Sequence, residues 1–419
     1  TQNLWLDKLG IEGSYTQPLG LFYYADDPLK DLQRAKNLYK KKYQRQSKII
    51  NTLNNEKIHI GYFSADFRAH PVMYLLTSIL KLHDKSKFEI YLYSFATKED
   101  EYTEIAKKSG CTFKDIKRLN DDEVVDLARN DKLDIAVDLM GYTENNRISI
   151  FAYRVAPIQI SYLGYPGTLG TESIDYIIAD KIVIPKNYEK FYTEKTIRMP
   201  SCYQCNDNKK EICQETISRK QFSLPEKGFV FTSFCAHKKI TPNEFDIWMR
   251  LLYQIKGSVL WLDGSNKYAI ENLIMEAEKR NIDPNRLVFA KKLPLLKKHL
   301  ARYSLGDLGL DTFNFNGHTT TSDALWSGLP VLTKIGKSFA ARVSASIIDS
   351  IGLPELITNS EKEYEEKALY LAKNPEKLIR LKFKLSKLRA KSTVFNSELF
   401  KKNLESKFIE LNLKLTKNL

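Results

Sequence analysis

Residues 316–326 read Asn-Gly-His-Thr-Thr-Thr-Ser-Asp-Ala-Leu-Trp and follow an apolar run that ends at Asp311-Thr312. The pattern predicts a helix opening near Thr320. A helix start exposes unpaired backbone N–H groups and carries the positive end of the helix dipole. Three threonine hydroxyls and an imidazole at the same place add donors, which is the composition of a phosphate-binding helix start. Those residue types also fit an N-cap beside a buried, hydrogen-bonded histidine. The two readings differ in whether neighbouring loops add to the site.

They are expected to. Strands are predicted over 58–64, 88–95, 133–139, 158–163 and 174–179, and again over 229–234, 259–263, 286–289, 308–311 and 331–333. Helical patterns separate them at 71–82, 101–108, 121–130 and 144–154, then at 242–253, 269–280, 294–303, 320–327 and 339–350. Such alternation implies two parallel-sheet α/β units with right-handed crossovers. Ligands in open parallel sheets bind beyond the carboxyl ends of the strands. The unusual stretches all fall there: Asp66-Phe67-Arg68-Ala69-His70, Gly141-Tyr142-Thr143, the turn at 164–168, the loop at 235–239 and the loop at 314–321. That shared placement predicts one cleft between two domains. The expected organisation is an N-terminal helical segment over 1–55, a first Rossmann-like domain over 56–205, a second over 206–375, and C-terminal helices over 376–419. A basic amphipathic helix is expected from Asp27-Pro28 to about Lys48, and the polar stretch 201–228 reads as a link between domains.

The bulk numbers narrow the function classes. The chain has 419 residues, 43% hydrophobic and 28% charged, with a net charge of +14. No apolar run approaches the ~20 residues of a membrane span, so no membrane span is expected. Much of the basic excess lies at helical spacing, as solvated faces do, and no zinc-finger or RNA-binding signature accompanies it; nucleic acid is not an expected partner. Five cysteines include Cys202 and Cys205 as a CxxC, with Cys213 nearby but no suitably spaced fourth ligand. They read as reduced surface thiols of a cytoplasmic protein rather than a metal or redox centre.

Several stretches together resemble the catalytic region of protein O-GlcNAc transferases, glycosyltransferase family 41. They are the segment 61–67 with His70-Pro71, Gly141-Tyr142-Thr143, Ala156-Pro157-Ile158-Gln159, the segment 163–168, Asn316-Gly317-His318-Thr319-Thr320 with Asp323-Ala324-Leu325-Trp326, and Ala341-Arg342-Val343. The resemblance runs from about residue 18 to 410. It implies a GT-B fold with C-terminal helices packing back on the first domain. It also implies a metal-independent, inverting transfer of N-acetylglucosamine from UDP-GlcNAc to protein Ser/Thr hydroxyls, with no cofactor. The absence of an Asp-x-Asp metal motif agrees with this.

The resemblance also implies roles. His318, Thr319 and Thr320 match a diphosphate-binding triplet, and Lys239 matches a lysine on the β-phosphate. Asp323 matches an acidic residue near the ribose, while His299 and Arg302 match residues near uridine. His70 matches an acceptor-side histidine, for which a base role is a hypothesis. Tyr142, Leu163, Gly164, Tyr165 and Pro166 fall on the substrate side, and Phe315 stands where relatives shape the N-acetyl pocket. One departure is plain: where the family has two amide residues, this chain has Cys235-Ala236. Two alternatives are an N-glucosyltransferase using UDP-glucose and Asn, and a catalytically inactive binding relative. Relatives carry tetratricopeptide arrays that grip acceptors, and no 34-residue repeat is visible. The Lys- and Tyr-rich, Gly-poor composition points to an AT-rich bacterial genome and to flagellin or a surface protein as expected acceptor.

Overall fold

The computed structural model describes residues 2–45 and 55–417. Residues 46–54 of the expected N-terminal helical segment lie outside the described residues. The chain divides into two compact units. One comprises the chain up to Phe22, Asp27–Asn208 and the chain from Thr393; the other comprises Tyr23–Asp26 and Lys209–Ser392.

The first unit holds a seven-stranded parallel sheet: β1 (Ile58–Ser64), β2 (Phe88–Ser94), β3 (Thr112–Asp115), β4 (Ile135–Asp138), β5 (Ile158–Ser161), β6 (Tyr176–Ala179) and β7 (Lys195–Arg198). Their order is β3-β2-β1-β4-β5-β6-β7. The second unit repeats the plan with six strands: β8 (Val230–Ser233), β9 (Val259–Asp263), β10 (Leu287–Ala290), β11 (Leu308–Leu310), β12 (Val331–Lys334) and β13 (Ile357–Thr358), ordered β10-β9-β8-β11-β12-β13. The central strands β4, β5 and β8 are buried along their whole length, as expected where helices cover both faces of a parallel sheet. Two such Rossmann-like units make up the GT-B fold.

In each sheet the winding direction reverses once, between β1 and β4 and between β8 and β11. Such a switch point leaves a crevice at the strand ends, where ligands of doubly wound folds sit. The loops after β1 and β4 carry His70 and Gly141. Those after β8 and β11 carry Lys239 and residues 311–318.

Three strands escaped the pattern reading, β3, β7 and β13, and all three are sheet edges. Edge strands are half solvated, so their sequences lack the apolar run that marks a buried strand; Thr112–Asp115 has no buried residue at all. Other expectations need correction. The N-terminal basic helix runs only over Pro28–Leu38 and continues as one π-turn, Tyr39–Tyr43. The predicted 144–154 helix shrinks to Ser149–Ala152. Three helices follow residue 360, Glu361–Lys373, Pro375–Arg389 and Ser397–Lys417. Pro375 starts a new helix because it lacks the N–H that would continue the old one. Cys202 and Cys205 are not surface thiols; both are buried.

The helix Ser397–Lys417 packs on the helix Pro71–Leu82 in the first unit. Its Glu405 accepts from Asp84 N at 2.8 Å and lies 3.0 Å from Nδ1 of the buried His83, whose Nε2 lies 3.0 Å from Tyr62 Oη. Burial lowers the His83 pKa, keeping the ring neutral. The neutral ring then donates from Nδ1 to the carboxylate and accepts the Tyr62 hydroxyl proton at Nε2. No helix among the described residues is long and apolar enough to cross a membrane.

Candidate functional site

In the first unit β1 ends in a tight turn. Ser64 Oγ accepts from Asp66 N at 2.9 Å, bending the chain so that Asp66 faces inward at 5% exposure. The chain then reaches His70, the N-cap of the helix Pro71–Leu82. Asp66 Oδ1 accepts from Arg68 Nη2 at 3.1 Å, and Asp66 Oδ2 lies 3.2 Å from His70 Nδ1. Val72 N also points at His70 Nδ1, at a longer 3.4 Å. Burial raises the Asp66 carboxyl to about 6 despite Arg68, and burial with the nearby Arg68 charge lowers His70 to about 4. At neutral pH the pair is therefore a carboxylate beside a neutral imidazole.

The neighbouring loop, after β4, is held by Asp138, whose carboxylate accepts from Met140 N and Gly141 N at 2.9 Å each. Gly141 has φ +53°, and a Cβ there would lie 2.4 Å from Tyr165 Cβ and 2.8 Å from the first atom of its ring. After β5, Leu163 takes the left-handed φ of +70°. Gly164 follows, where a Cβ would lie 1.8 Å from Leu139 O. This loop can therefore approach its neighbour only as glycine. Of the substrate-side candidates here, Leu163 and Gly164 present accessible surface, whereas Tyr142, Tyr165 and Pro166 are buried. Tyr142 packs edge-on against Tyr165 at 5.6 Å and donates its hydroxyl to Leu169 O at 2.7 Å. These rings shape the loop from beneath.

In the second unit the stretch after β11 is braced from several sides. Asp311 accepts from Gly317 N at 2.6 Å and from Thr333 Oγ1 at 2.7 Å, and burial raises its pKa to about 6. Asn316 N donates to Ala340 O at 2.9 Å, and Ser344 Oγ donates to Gly317 O at 2.7 Å. The helix Thr319–Trp326 then begins with His318 as N-cap residue, whose side chain caps none of the first-turn N–H groups. Those groups remain available to an anion. Lys239, from the turn His237–Lys239 after β8, donates from Nζ to Asn316 O at 2.7 Å and lies 4.0 Å from the Phe315 ring centroid. Burial lowers its pKa, so a diphosphate there would gain a poorly solvated and therefore effective counter-charge.

His318 departs from the sequence expectation in one respect. Its Nε2 lies 3.3 Å from Ala340 O, and burial and Lys239 together hold its pKa well below the usual value. A neutral ring that donates from Nε2 offers only a lone pair at Nδ1. As it stands the imidazole is an acceptor, where a donor to phosphate was expected; protonation would restore the donor.

Arg302 and His299 do lie together. The Arg302 guanidinium sits over Phe234 at 4.3 Å and donates to Lys291 O at 2.9 Å, while His299 meets Tyr303 edge-on at 5.3 Å. Burial and Arg302 lower His299 to about 4. Asp323 is paired with Lys210 at 2.7 Å, both side chains being almost fully buried. Lys210 was invisible to sequence reasoning, which placed it in a polar linker. Cys235, in the place of a family amide, is buried with Sγ 3.8 Å from Thr320 Oγ1. Among the described residues no cluster of His, Cys, Asp or Glu could hold a metal ion.

Comparison with known proteins gives the family and the fold. The model of Glycosyl transferase family 41 matches residues 29–215 and 209–404. A protein of Arabidopsis thaliana named "Probable UDP-N-acetylglucosamine--peptide N-acetylglucosaminyltransferase SEC" is 33% identical over 364 residues, covering 85% of this chain and 37% of its own length. A SPINDLY protein of Petunia hybrida with the same enzyme name is 32% identical over 377 residues, covering 87% of this chain and 40% of its own. The chain thus spans about two fifths of the curated relatives it matches. A mutant O-GlcNAc transferase of Thermobaculum terrenum superposes with a TM-score of 0.88 at 27% identity, over 96% of this chain and 78% of that one. The chain belongs to glycosyl transferase family 41.

Proposed function

We propose that this chain transfers N-acetylglucosamine from UDP-N-acetylglucosamine to Ser or Thr hydroxyls of proteins, inverting C1 and using no metal ion. The observation that carries the reading is the convergence of Lys239 and an uncapped helix start on residues 316–320. Relatives named as UDP-GlcNAc–peptide transferases, 33% and 32% identical, support the choice of sugar and acceptor. In the reaction the bond from C1 to the β-phosphate oxygen breaks as the hydroxyl oxygen attacks C1. The leaving UDP gains negative charge, which the Lys239 ammonium and the N–H groups of the helix start stabilise. The hydroxyl proton must go to a base, and the Asp66–His70 pair supplies one in the first unit. The same reading takes the cytoplasm, where UDP-sugars are made, as the place of the reaction.

The test offers UDP-GlcNAc and UDP-glucose separately with a protein lysate, measures UDP release, and maps the modified side chain by mass spectrometry. Transfer from UDP-GlcNAc to Ser/Thr is expected. Glucose on Asn would overturn the reading in favour of an N-glucosyltransferase, and no UDP release with either donor would favour a binding protein.

A further inference from the structure

The segment Tyr23–Asp26 lies far from the second unit in sequence yet belongs to it. Its neighbour Asp27 caps the helix Pro28–Leu38, accepting from Leu29 N and Lys30 N at 3.1 Å each. Asp26 has a different task. Its Oδ2 accepts from Lys337 N at 2.8 Å and its Oδ1 from Ser338 N at 2.6 Å. The loop closes around this carboxylate, for a Cβ on Gly336 would come within 2.5 Å of Asp26 Oδ2. Ser338 leads into the turn Phe339–Ala341, and Ala340 O is the acceptor for both Asn316 N and His318 Nε2. Asp26 is thus two short steps from the helix start that the proposed function gives to diphosphate.

Tyr23 reaches the same place by another route. Its ring stacks on Phe315 at 5.3 Å and 26°, and Phe315 stacks on His318 at 4.8 Å and 27°. Tyr23 O accepts from Asn314 Nδ2 at 3.2 Å. Two lysines attend the stack, Lys238 over Tyr23 at 5.1 Å and Lys239 over Phe315 at 4.0 Å. Each ring limits how far the next can tilt, so Tyr23 restrains the imidazole and the Phe315 wall together. Two independent contacts from one four-residue segment converge on His318 and Asn316.

We infer that Tyr23 and Asp26 are positioning residues of the donor site: Asp26 fixes the loop carrying Ala340, and Tyr23 fixes the Phe315–His318 stack. The inference rests on the reading of this site as a diphosphate site. Its consequence is that donor affinity is set partly by the N-terminal helical segment, which otherwise lies in the first unit.

The test uses the full chain with Asp26→Ala, Asp26→Asn, Tyr23→Leu and Tyr23→Phe. UDP affinity is measured by calorimetry, donor KM and kcat by transfer, and backbone hydrogen exchange over 336–341 and 318–321. Asp26→Ala and Tyr23→Leu are expected to weaken UDP binding and raise donor KM by about tenfold, a free-energy change of about 1.4 kcal/mol. The effect on kcat is expected to be smaller. Exchange should quicken in both segments while exchange of the strand β1 in the first unit stays as in wild type. Tyr23→Phe keeps the ring and should behave as wild type; Asp26→Asn keeps a neutral acceptor and should fall between. Wild-type affinity in both Asp26→Ala and Tyr23→Leu would overturn the inference. If wild type binds no UDP, the functional reading fails separately, and unchanged exchange over 318–321 in both variants would still overturn the positioning role.

Discussion

His70 Nδ1 and Asp66 Oδ2 lie 3.2 Å apart at the end of the first strand, with the other Asp66 oxygen held by Arg68. This relationship decides which nitrogen of His70 can act. When Asp66 is ionised, an Nδ1–H donating to the carboxylate at 3.2 Å takes the place of the longer Val72 N–H contact, and Nε2 keeps a lone pair. When Asp66 is protonated, it donates to Nδ1 and the ring proton moves to Nε2, which then accepts nothing.

The pair therefore predicts an acid limb in kcat/KM. The Asp66 carboxyl sits at about 6 and His70 at about 4, so activity should rise with pH through about 6. Because the two groups interact, the limb belongs to the pair. Asp66→Asn should remove the limb and lower kcat by about tenfold to a hundredfold, in the lower range for losing a well-placed base. A wild-type profile flat from pH 5 to 8 would count against the base role.

Lys239 predicts the alkaline side. Burial lowers its pKa from 10.5, so the charged form, and with it leaving-group stabilisation, is lost as pH rises through that lowered value. Lys239→Ala should reduce kcat by roughly 100-fold or more, with a smaller change in donor KM. Lys239→Arg, which stays charged, should lose the alkaline limb. Steady-state profiles over pH 7 to 10.5 check both statements.

His318 predicts proton uptake. Its pKa lies well below 6.5 without an anion beside it, and a bound diphosphate favours the imidazolium. UDP binding at pH 6 should draw in a fraction of a proton, and affinity should strengthen as pH falls. Calorimetry in buffers of different ionisation enthalpy reads this directly. His318→Asn should abolish the uptake; uptake unchanged in that variant would assign it elsewhere.

Glu405 predicts an acid-sensitive C-terminal helix. Both Glu405 and His83 have lowered pKa values in the fold. For each, the unfolded chain binds more protons than the native one below its ordinary pKa, so stability is lost as pH falls. The loss starts near 6.5 through His83 and deepens below 4.5 through Glu405. Glu405→Ala should cost about 2 kcal/mol at neutral pH, since it strands the His83 and Asp84 N–H donors. Chemical denaturation at pH 7 and pH 5 should show a larger pH effect in the variant, because Glu405 is what holds the His83 pKa up against burial.

Much of this was readable before folding. The buried strands announced themselves as apolar runs, and the loops after them carried unusual residues at their carboxyl ends. Because a parallel sheet gathers those ends on one edge, strand order alone brought His70 near Gly141 and Lys239 near Asn316. Edge strands β3, β7 and β13 were missed because half-solvated strands carry no such run.

What the sequence determined by itself was the alternation of elements, the family, and the residue types at the strand ends, all of which depend on local pattern. Only the tertiary structure decided the partners. Lys210 pairs with Asp323 113 residues away. Asp26 binds amides more than 300 residues away, and His318 turns its Nε2 toward Ala340 O. Polar groups removed from water must find partners wherever the fold places them, and no spacing along the chain encodes that choice. The same burial, absent from any linear motif, moves Asp66, His70 and Lys239 away from their ordinary pKa values.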